Sequence, residues 1–219
     1  MDLLMSLEDH FQYLDDLVQR KPKAVLITSF GIYAGIASDG RDITSFGEKY
    51  RSKTRDFLES LRSISDVRIL IGVATYKSCK NNQFCYDCEK SYLYQLIRLI
   101  NHRNYFPDFK WKVINNSHLK CVLFFYDNNE ILGVVGGRNL NDSSWVDASF
   151  KAGNDVSCSL YRELIPVWKK SYYLDDSAVN KILNDQNISE FTIDSIFSEF
   201  NKSNEYNNLA DEIASCAQE

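Results

Sequence analysis

Two apolar segments separated by a short polar turn constrain the fold of this chain most strongly. Residues 121–126 and residues 131–135 are rich in Val, Ile, Leu, Phe and Tyr, and residues 127–130 read Asp-Asn-Asn-Glu. Strand-forming residues on both sides of such a turn are typical of a β-hairpin. The sequence therefore predicts an antiparallel pair of strands near the middle of the protein, preceded by a further apolar segment at residues 112–114.

The open ends of this hairpin carry the polar residues that specify a chemistry. His118 and Lys120 precede the first strand, and Gly-Gly-Arg-Asn at residues 136–139 follows the second. A turn centred between residues 128 and 129 places His118 opposite Asn139 and Lys120 opposite Gly137. Side chains two residues apart share a face of a strand. We therefore expect His118, Lys120 and Asn139 to project together, with cross-strand Cβ atoms roughly 5 Å apart.

These residue types suit the cleavage of a phosphodiester bond. The ammonium of Lys120, the amide of Asn139 and backbone N–H groups of the glycine turn are donors suited to developing negative charge on a phosphate. Gly137 has no side chain and leaves an opening for the phosphate beside the lysine. His118 is then placed to attack phosphorus. The structural alternatives are a strand histidine bonded to the backbone and glycines that only form a bulge.

At these residues the chain resembles the phospholipase D superfamily, whose signature joins His-x-Lys to an Asp and then to Gly-Ser or Gly-Gly, x, Asn. The match covers residues 108–170. The resemblance implies an α-β-α sandwich with a mixed central sheet. It also implies a nucleophile at His118, phosphate binding by Lys120 and Asn139, and substrate contacts from Gly136, Gly137 and Arg138.

Two acidic positions of the family signature need separate assignment. Where the family has its aspartate this chain has Phe125, and the nearest acid, Asp127, lies in the turn. The family also places an acid downstream that orients the catalytic histidine. Asp155 is the candidate for that role.

Catalysis in the superfamily takes two copies of the motif, one histidine attacking phosphorus and the other protonating the leaving oxygen. His10 is followed by Phe-Gln and His102 by Arg-Asn, so neither begins a second motif. The resemblance therefore implies that a second chain supplies the other half-site. A twofold homodimer does this most simply, because an isologous interface puts the same residue of each protomer beside the axis. A degenerate protein without activity is the alternative.

Composition bounds the remaining possibilities. The chain has 219 residues of which 44% are hydrophobic, enough to bury the core of one domain. It has neither a run of roughly eighteen apolar residues nor a basic and then apolar N-terminus, so we expect no membrane span, no signal peptide and a cytoplasmic location. The net charge of −5 argues against general coating of nucleic acid. A local cationic cluster at residues 49–55 either binds nucleic acid or is a solvated helix face.

Segments with helix and strand patterns alternate along residues 1–174, which we expect to form one catalytic α/β domain. Helices are predicted over residues 4–19, 48–64, 89–102 and 163–172. Buried strands are predicted over residues 24–30, 67–76 and 156–160, with a connection at residues 31–47. Residues 175–219 are rich in Asn, Asp, Ser and Glu and are predicted to form an acidic helical tail.

Because we expect no signal peptide, we also expect the six cysteines not to form disulfides. Cys121 and Cys158 fall in apolar segments predicted as strands, and we expect them in the core. Cys79, Cys85 and Cys88 lie in a polar loop, where a Cys-x2-Cys pair and a third thiol suit a structural zinc that still needs a fourth ligand. His102 is a poor fourth ligand, because fourteen residues of helix span about 21 Å. Ordinary loop thiols are the alternative.

Together these patterns predict a dimeric phosphodiesterase that cleaves nucleic acid, DNA in preference, through a covalent phosphohistidine. Metal-dependent nucleases hold their ions with clustered carboxylates, whereas the motif presents histidine, lysine and asparagine. We therefore expect catalysis without a divalent metal. A phospholipase or phosphatidyltransferase is the leading alternative, because Gly-Gly-x-Asn resembles the cardiolipin synthases, and a non-catalytic nucleic-acid-binding module is another. The same site chemistry serves DNA, RNA and lipid phosphodiesters, so the fold does not choose among them.

Overall fold

A computed structural model describes residues 2–32, 34–35, 52–73, 88–115, 117–139, 148–174 and 176. Within these ranges eight strands form one sheet with helices on both faces. The strands are β1 (Leu3–Leu4), β2 (Ala24–Phe30), β3 (Asp66–Val73), β4 (Lys110–Asn115), β5 (Cys121–Phe125), β6 (Ile131–Gly136), β7 (Ser149–Ala152) and β8 (Tyr172–Tyr173). The helices are α1 (Leu7–Gln19), α2 (Lys53–Ser60), α3 (Cys88–Tyr105) and α4 (Asn154–Lys170), with a 3-10 turn at Leu61–Ser63. The predicted α/β architecture with a mixed sheet is confirmed.

The strand order is β1-β7-β6-β5-β2-β3-β4-β8. Strands β2, β3 and β4 are parallel, and every other pairing is antiparallel. The carboxyl ends of β2, β3, β4 and β6 therefore meet the amino ends of β5 and β7 at one edge of the sheet. This edge, called the motif edge below, receives residues 117–120 and 136–139.

The sheet separates two apolar layers. Along β5, Val122 and Phe124 pack in the layer that contains α1, α2 and α3. Leu123 and Phe125 pack in the other layer, where Tyr161 and its neighbours on α4 cover the sheet. Because consecutive side chains of a strand point to opposite faces, a strand covered on both sides must be apolar at nearly every position. That requirement explains the unbroken apolar run of residues 121–126.

Helix α1 begins at a capping box. The Ser6 hydroxyl accepts a hydrogen bond from the Asp9 backbone N–H at 2.9 Å, and the Asp9 carboxylate accepts from the Ser6 backbone N–H. This arrangement satisfies two donors that a helix start leaves free. The predicted helix over residues 4–19 is confirmed except at its start, because Leu3 and Leu4 pair with β7 as the edge strand β1. The face that α1 buries consists of His10, Phe11, Leu14 and Leu17.

The hairpin of β5 and β6 is confirmed, but its predicted register is wrong by one residue. Cys121 pairs with Val135 and Phe125 pairs with Ile131, which leaves a five-residue loop. The Tyr126 N–H donates to the Glu130 carbonyl at 3.0 Å, and Asn129 adopts a left-handed conformation with φ of 63°. Asparagine tolerates that conformation, which lets the chain reverse direction within a five-residue loop. Lys120 consequently faces Gly136 and not Gly137.

The strand predicted at residues 156–160 is wrong, because these residues lie in α4. Helix α4 buries Ser157, Tyr161, Leu164 and Trp168, whose spacing of three and four residues defines one helical face. Cys158 therefore lies on a helix and is half-buried, whereas Cys121 lies in β5 and is buried as expected. The strand in this region is β7, which pairs with β6. The chain after α4 returns to the sheet as β8 beside β4.

Most other predicted elements agree with the structure where it describes them. The strand over residues 24–30 is confirmed as β2, residues 89–102 lie within α3, and residues 48–64 contain α2 and the 3-10 turn. The strand predicted over residues 67–76 is β3, which begins one residue earlier at Asp66, and residues 74–76 lie outside the described residues. The helix predicted over residues 163–172 is the second half of α4, which ends at Lys170, because Tyr172 pairs in β8. Cys79 and Cys85 lie outside the described residues, as does the acidic tail apart from Asp176. Cys88 begins α3, but its side chain is not described. The zinc hypothesis and the domain boundary at residue 174 therefore stay predictions.

Candidate active site

The histidine of the motif lies at the motif edge. Residues 117–120 approach β5 across the end of β3, and the approach is close: a Cβ at Gly72 would lie 1.9 Å from the carbonyl oxygen of Ser117. Only glycine at position 72 permits this path. In open sheets with parallel strands, ligands bind at the carboxyl ends of those strands. The fold therefore places His118 and Lys120 at the end of the sheet where a ligand is expected to bind.

His118 and Lys120 contact each other directly. The Nζ atom of Lys120 lies 3.0 Å from Nδ1 and 3.1 Å from Nε2 of His118, and it donates to the His118 carbonyl at 3.3 Å. The His118 side chain is exposed, whereas Lys120 is only 8% exposed. A nearly buried ammonium therefore lies against an accessible imidazole, at nearly equal distances from its two ring nitrogens.

Phe30, at the carboxyl end of β2, links the histidine to Asn139. The Phe30 ring lies 4.6 Å from the His118 ring between centroids, and the Phe30 backbone N–H donates to Oδ1 of Asn139 at 3.1 Å. This hydrogen bond holds Oδ1 of Asn139 toward β2, so Nδ2, the donor atom of the amide, points away from β2. Sequence analysis missed Phe30. Its position as the last residue of a buried parallel strand was the available signal.

The glycine pair has a different role from the one expected. The N–H of Gly136 donates to the Lys120 carbonyl at 3.2 Å, and the N–H of Gly137 donates to the Ala148 carbonyl at 2.9 Å. These donors extend the sheet, so the prediction that they bind phosphate is wrong. Gly136 is required because β7 passes close by: a Cβ there would lie 2.5 Å from the Ala148 carbonyl oxygen.

Arg138 is held by the protein at one end of its guanidinium. One terminal nitrogen donates to the Met5 carbonyl at 2.7 Å, which ties the residue to the chain just before α1. Arg138 lines a pocket that also contains Lys120, Gly136 and the buried His10. Sequence analysis gave His10 no part in the site, because no motif surrounds it.

The structure does not bring Asp155 to His118. Asp155 lies in the first turn of α4, and the side chain of its neighbour Asn154 accepts from the Ile131 N–H at 2.8 Å. Ile131 begins β6 and Gly136 ends it, so Asp155 is at the opposite end of the strand, roughly 17 Å from the motif edge. The assignment of Asp155 as the acid that orients His118 is therefore wrong. By sequence, the acid nearest to Ala148 is Asp147, which lies outside the described residues.

The signature aspartate also has no counterpart among the described residues. Phe125, at its position, is 3% exposed and packs against Tyr161 at 5.0 Å between ring centroids. Asp127 is exposed in the hairpin loop, at the end of β5 remote from His118. Neither residue reaches the motif edge.

His102 is a structural histidine. It is fully buried, its Nδ1 lies 2.6 Å from the Arg98 carbonyl, and its Nε2 accepts from the Ala34 backbone N–H at 2.9 Å. Nδ1 must therefore carry the proton, and both ring nitrogens are used. Burial lowers the pKa of His102 to about 4. Such a histidine has no nitrogen left for zinc, in agreement with the expectation that it is a poor ligand.

The cationic cluster at residues 49–55 is engaged with the protein where it is described. Lys53 forms an ion pair with Glu8, and Arg55 donates to the Tyr105 hydroxyl at 2.6 Å. These contacts favour an ordinary helix surface over a nucleic-acid site. No helix in the described ranges is both long and apolar enough to span a bilayer.

No family model and no curated protein matches the sequence. Among solved structures the chain is similar to NucT from Helicobacter pylori, with 13% identity over 74% of this chain and 89% of NucT and a TM-score of 0.42. It is also similar to phosphatidylserine synthase from Haemophilus influenzae, with 14% identity over 94% of this chain and 43% of the synthase and a TM-score of 0.48.

A third similar structure is yeast tyrosyl-DNA phosphodiesterase, with 12% identity over 91% of this chain and 42% of that one and a TM-score of 0.33. The chain thus spans less than half of the synthase and of the yeast enzyme. All three proteins are members of the phospholipase D superfamily, the family that the motif resembles. Likenesses this distant say nothing about substrate.

Proposed function

We propose that the chain is a phosphodiesterase of the phospholipase D type that cleaves nucleic acid, with DNA as the favoured substrate. The contact between Lys120 and His118 carries the proposal. It sets a cation 3.0 Å from an exposed imidazole, with the amide of Asn139 anchored to the same strand end through Phe30. A nucleophile and two donors for a phosphate are thus supported by one edge of the sheet.

The approach of a phosphodiester changes the partner of Lys120. A phosphate oxygen carries negative charge and accepts hydrogen bonds more strongly than a neutral imidazole. Lys120 therefore moves from the His118 ring to the phosphate, which frees a ring nitrogen of His118 for attack. Nδ2 of Asn139 donates to a second phosphate oxygen. Because the N–H groups of Gly136 and Gly137 bond within the sheet, side chains hold the phosphate.

The reaction then takes two displacements at phosphorus. A ring nitrogen of His118 forms a bond to phosphorus as the P–O bond to the leaving group breaks, and an imidazolium protonates the leaving oxygen. Water next attacks phosphorus, the N–P bond breaks, and the imidazole produced in the first step takes the proton from the water. Lys120 supplies positive charge throughout, so we propose that no divalent metal takes part.

The imidazolium comes from a second copy of the chain in this proposal. Exposed apolar side chains near the motif edge support such an association: Leu3 is 48% exposed, Met5 55%, Leu119 46% and Phe150 37%. Leu3 and Phe150 face each other across β1 and β7, and Leu119 adjoins His118. A homodimer buries these side chains and brings the two His118 residues together near its axis. Sedimentation that finds only monomer in an active preparation contradicts this assembly.

The substrate is tested by incubating the protein in parallel with plasmid DNA, single-stranded RNA and phospholipid vesicles, each in excess EDTA. We expect DNA cleavage that persists in EDTA and disappears in His118→Ala with the dimer intact. Turnover of vesicles alone would favour the phospholipase alternative. Binding of DNA without cleavage would favour the non-catalytic module, and activity that EDTA removes and magnesium restores would refute the metal-free mechanism.

The dimer and the mechanism are tested together with mixed dimers. A dimer of one native and one His118→Ala protomer keeps one imidazole, which cannot be both nucleophile and acid in the first step. We expect its activity to be lost, as in the doubly altered dimer. A mixed dimer with half of the native activity would show that each chain works alone.

A further inference from the structure

A second histidine lies close to the motif, although no motif surrounds it in the sequence. His10 extends from α1, is 5% exposed, and lines a pocket with Lys120, Gly136, Arg138 and Ser149. The capping box at Ser6 fixes where α1 begins. The bond from Arg138 to the Met5 carbonyl ties the same segment to the end of β6. The position of His10 is thus set by two independent anchors.

Two buried polar atoms of this pocket have no partner among the described residues. They are Nδ1 of His10 and Nε of Arg138. Buried polar atoms are nearly always hydrogen-bonded, and those that are not call for a ligand or water. The other buried histidine makes the contrast clear, because both ring nitrogens of His102 are bonded to the backbone.

The charges of the pocket select an anion. Arg138 and Lys120 are cations, and no carboxylate of the described residues lines the pocket. The hydroxyls of Thr28 and Ser149 line it as well, and they are able to donate hydrogen bonds. We propose that His10 and Arg138 bind a phosphate-type oxyanion in this pocket, next to the Lys120 ammonium that the proposed function assigns to the phosphate attacked by His118. This goes beyond the proposed function and does not depend on it, because the pocket binds without turnover.

Proton uptake follows from this arrangement. Burial, with a contribution from the charge of Arg138, lowers the pKa of His10 to about 4, so the empty pocket holds a neutral imidazole at neutral pH. The polar and charged groups that line the pocket with His10 are the cations Arg138 and Lys120, the hydroxyls of Thr28 and Ser149, and the thiol of Cys121, and the ring of Phe11 adjoins His10. Burial raises the pKa of Cys121 to about 11, so this thiol stays protonated. A bound dianion offsets both cations and favours the imidazolium. Binding therefore takes up a proton at His10.

Sulfate is the suitable probe, because it is tetrahedral and does not itself titrate near pH 6. Titration calorimetry of the full-length His118→Ala chain with sulfate, in two buffers of different ionisation enthalpy, measures the protons taken up without a contribution from His118. We expect between about half and one proton per sulfate at pH 6. Adding His10→Gln should abolish the uptake and weaken sulfate binding at least about tenfold. Adding His102→Gln, the matched control, should change neither quantity.

Two outcomes overturn the proposal: no sulfate binding, or the same proton uptake with and without His10. If circular dichroism shows that His10→Gln fails to fold, the imidazole NMR resonance of His10 in the His118→Ala chain decides. A resonance that sulfate leaves unmoved also overturns the proposal.

The source of the anion is a further arm of the experiment. Short single-stranded DNA is titrated into the same variants. If His10→Gln weakens sulfate and DNA alike, the pocket takes a phosphate of the nucleic acid. If it weakens sulfate alone, the pocket takes free inorganic phosphate. If the native protein does not cleave DNA, the proposed function is refuted but the sulfate result is unaffected. Failure of the proposed function and failure of the oxyanion site are therefore distinguishable.

Discussion

Two buried histidines make the stability of the protein depend on pH between 5 and 7. His10 is 5% exposed and His102 is fully buried. Burial lowers the pKa of each from 6.5 to about 4. Above pH 6.5 both are neutral in the folded and the unfolded chain, so they make no difference there. As the pH falls below 6.5 the unfolded chain binds protons that the folded chain does not, and the free energy of unfolding decreases until the pH passes 4.

The magnitude follows from these values. Between pH 7 and pH 5 each histidine lowers the free energy of unfolding by about 2 kcal/mol, and the pair lowers it by about 4 kcal/mol. Natural domains have total stabilities of about 5–15 kcal/mol, so the change is large enough to measure. Carboxylates contribute equally in all the variants compared, including Asp15, whose pKa burial raises. The pKa values of Asp9, Glu59 and Asp66 lie below the ordinary 3.8 to 4.5 in the folded chain, so their stabilising effect is lost at lower pH.

Urea unfolding at pH 7, 6 and 5 measures the effect, followed by the fluorescence of the buried Trp111 and Trp168. We expect His102→Gln, which keeps a donor and an acceptor but does not titrate, to remove about half of the pH dependence. His10→Gln should remove the other half, and the double variant should show almost none. A native protein whose stability is constant from pH 7 to pH 5, or a double variant that keeps the native slope, would refute the reasoning.

Four further substitutions test other parts of the structure. Asp155→Asn should keep DNA cleavage within about twofold of the native rate, because its position on α4 is remote from the motif edge; a loss comparable to that of His118→Ala would contradict the geometry. Gly136→Ala should destabilise the fold by about 2–3 kcal/mol, since its Cβ would lie 2.5 Å from a backbone oxygen. In Gly153→Ala the added Cβ meets nothing within 4 Å, so the free energy of unfolding should fall by less than about 1 kcal/mol. Thermal unfolding of the two glycine variants measures both changes. If the cysteine loop binds zinc, elemental analysis should find about one metal per chain and Cys85→Ala should lower the melting temperature; metal-free protein of unchanged stability would favour loop thiols.

The local sequence pattern correctly predicted those elements whose residues fit only one type of secondary structure. Strand β2 was predicted with its observed bounds, because a mainly apolar run, interrupted only by Thr28 and Ser29, is enclosed by Lys23 before it and Gly31 after it. Helix α1 was predicted from acids and apolar residues at helical spacing, and Ser6 supplies the cap. In both elements, composition, spacing and boundary residues agree on the same structure.

The strand predicted at residues 156–160 was wrong because the sequence pattern there fits both a strand and a helix. The sequence Val-Ser-Cys-Ser-Leu at residues 156–160 alternates apolar and polar residues like a strand. It also continues a helical stripe through Tyr161, Leu164 and Trp168. Short segments of this kind cannot be assigned by periodicity alone. The true strand, β7, has only four residues and depends on pairing with β6, which no local pattern predicts.

The candidate site shows the same limit at the level of single residues. Residue types placed His118, Lys120 and Asn139 at one end of the hairpin, and they are there. Their contacts depend on partners distant in sequence, since Phe30 links Asn139 to His118 and Ala148 accepts the bond from Gly137. The observed hairpin register differs by one residue from the predicted one, so Gly136 lies beside Lys120. The N–H groups of Gly136 and Gly137 both form hydrogen bonds within the sheet. In the proposed function, the binding of a phosphate therefore falls to side chains that carry charge or an amide, and that proposal makes a cation at position 120 more important than the motif alone suggests.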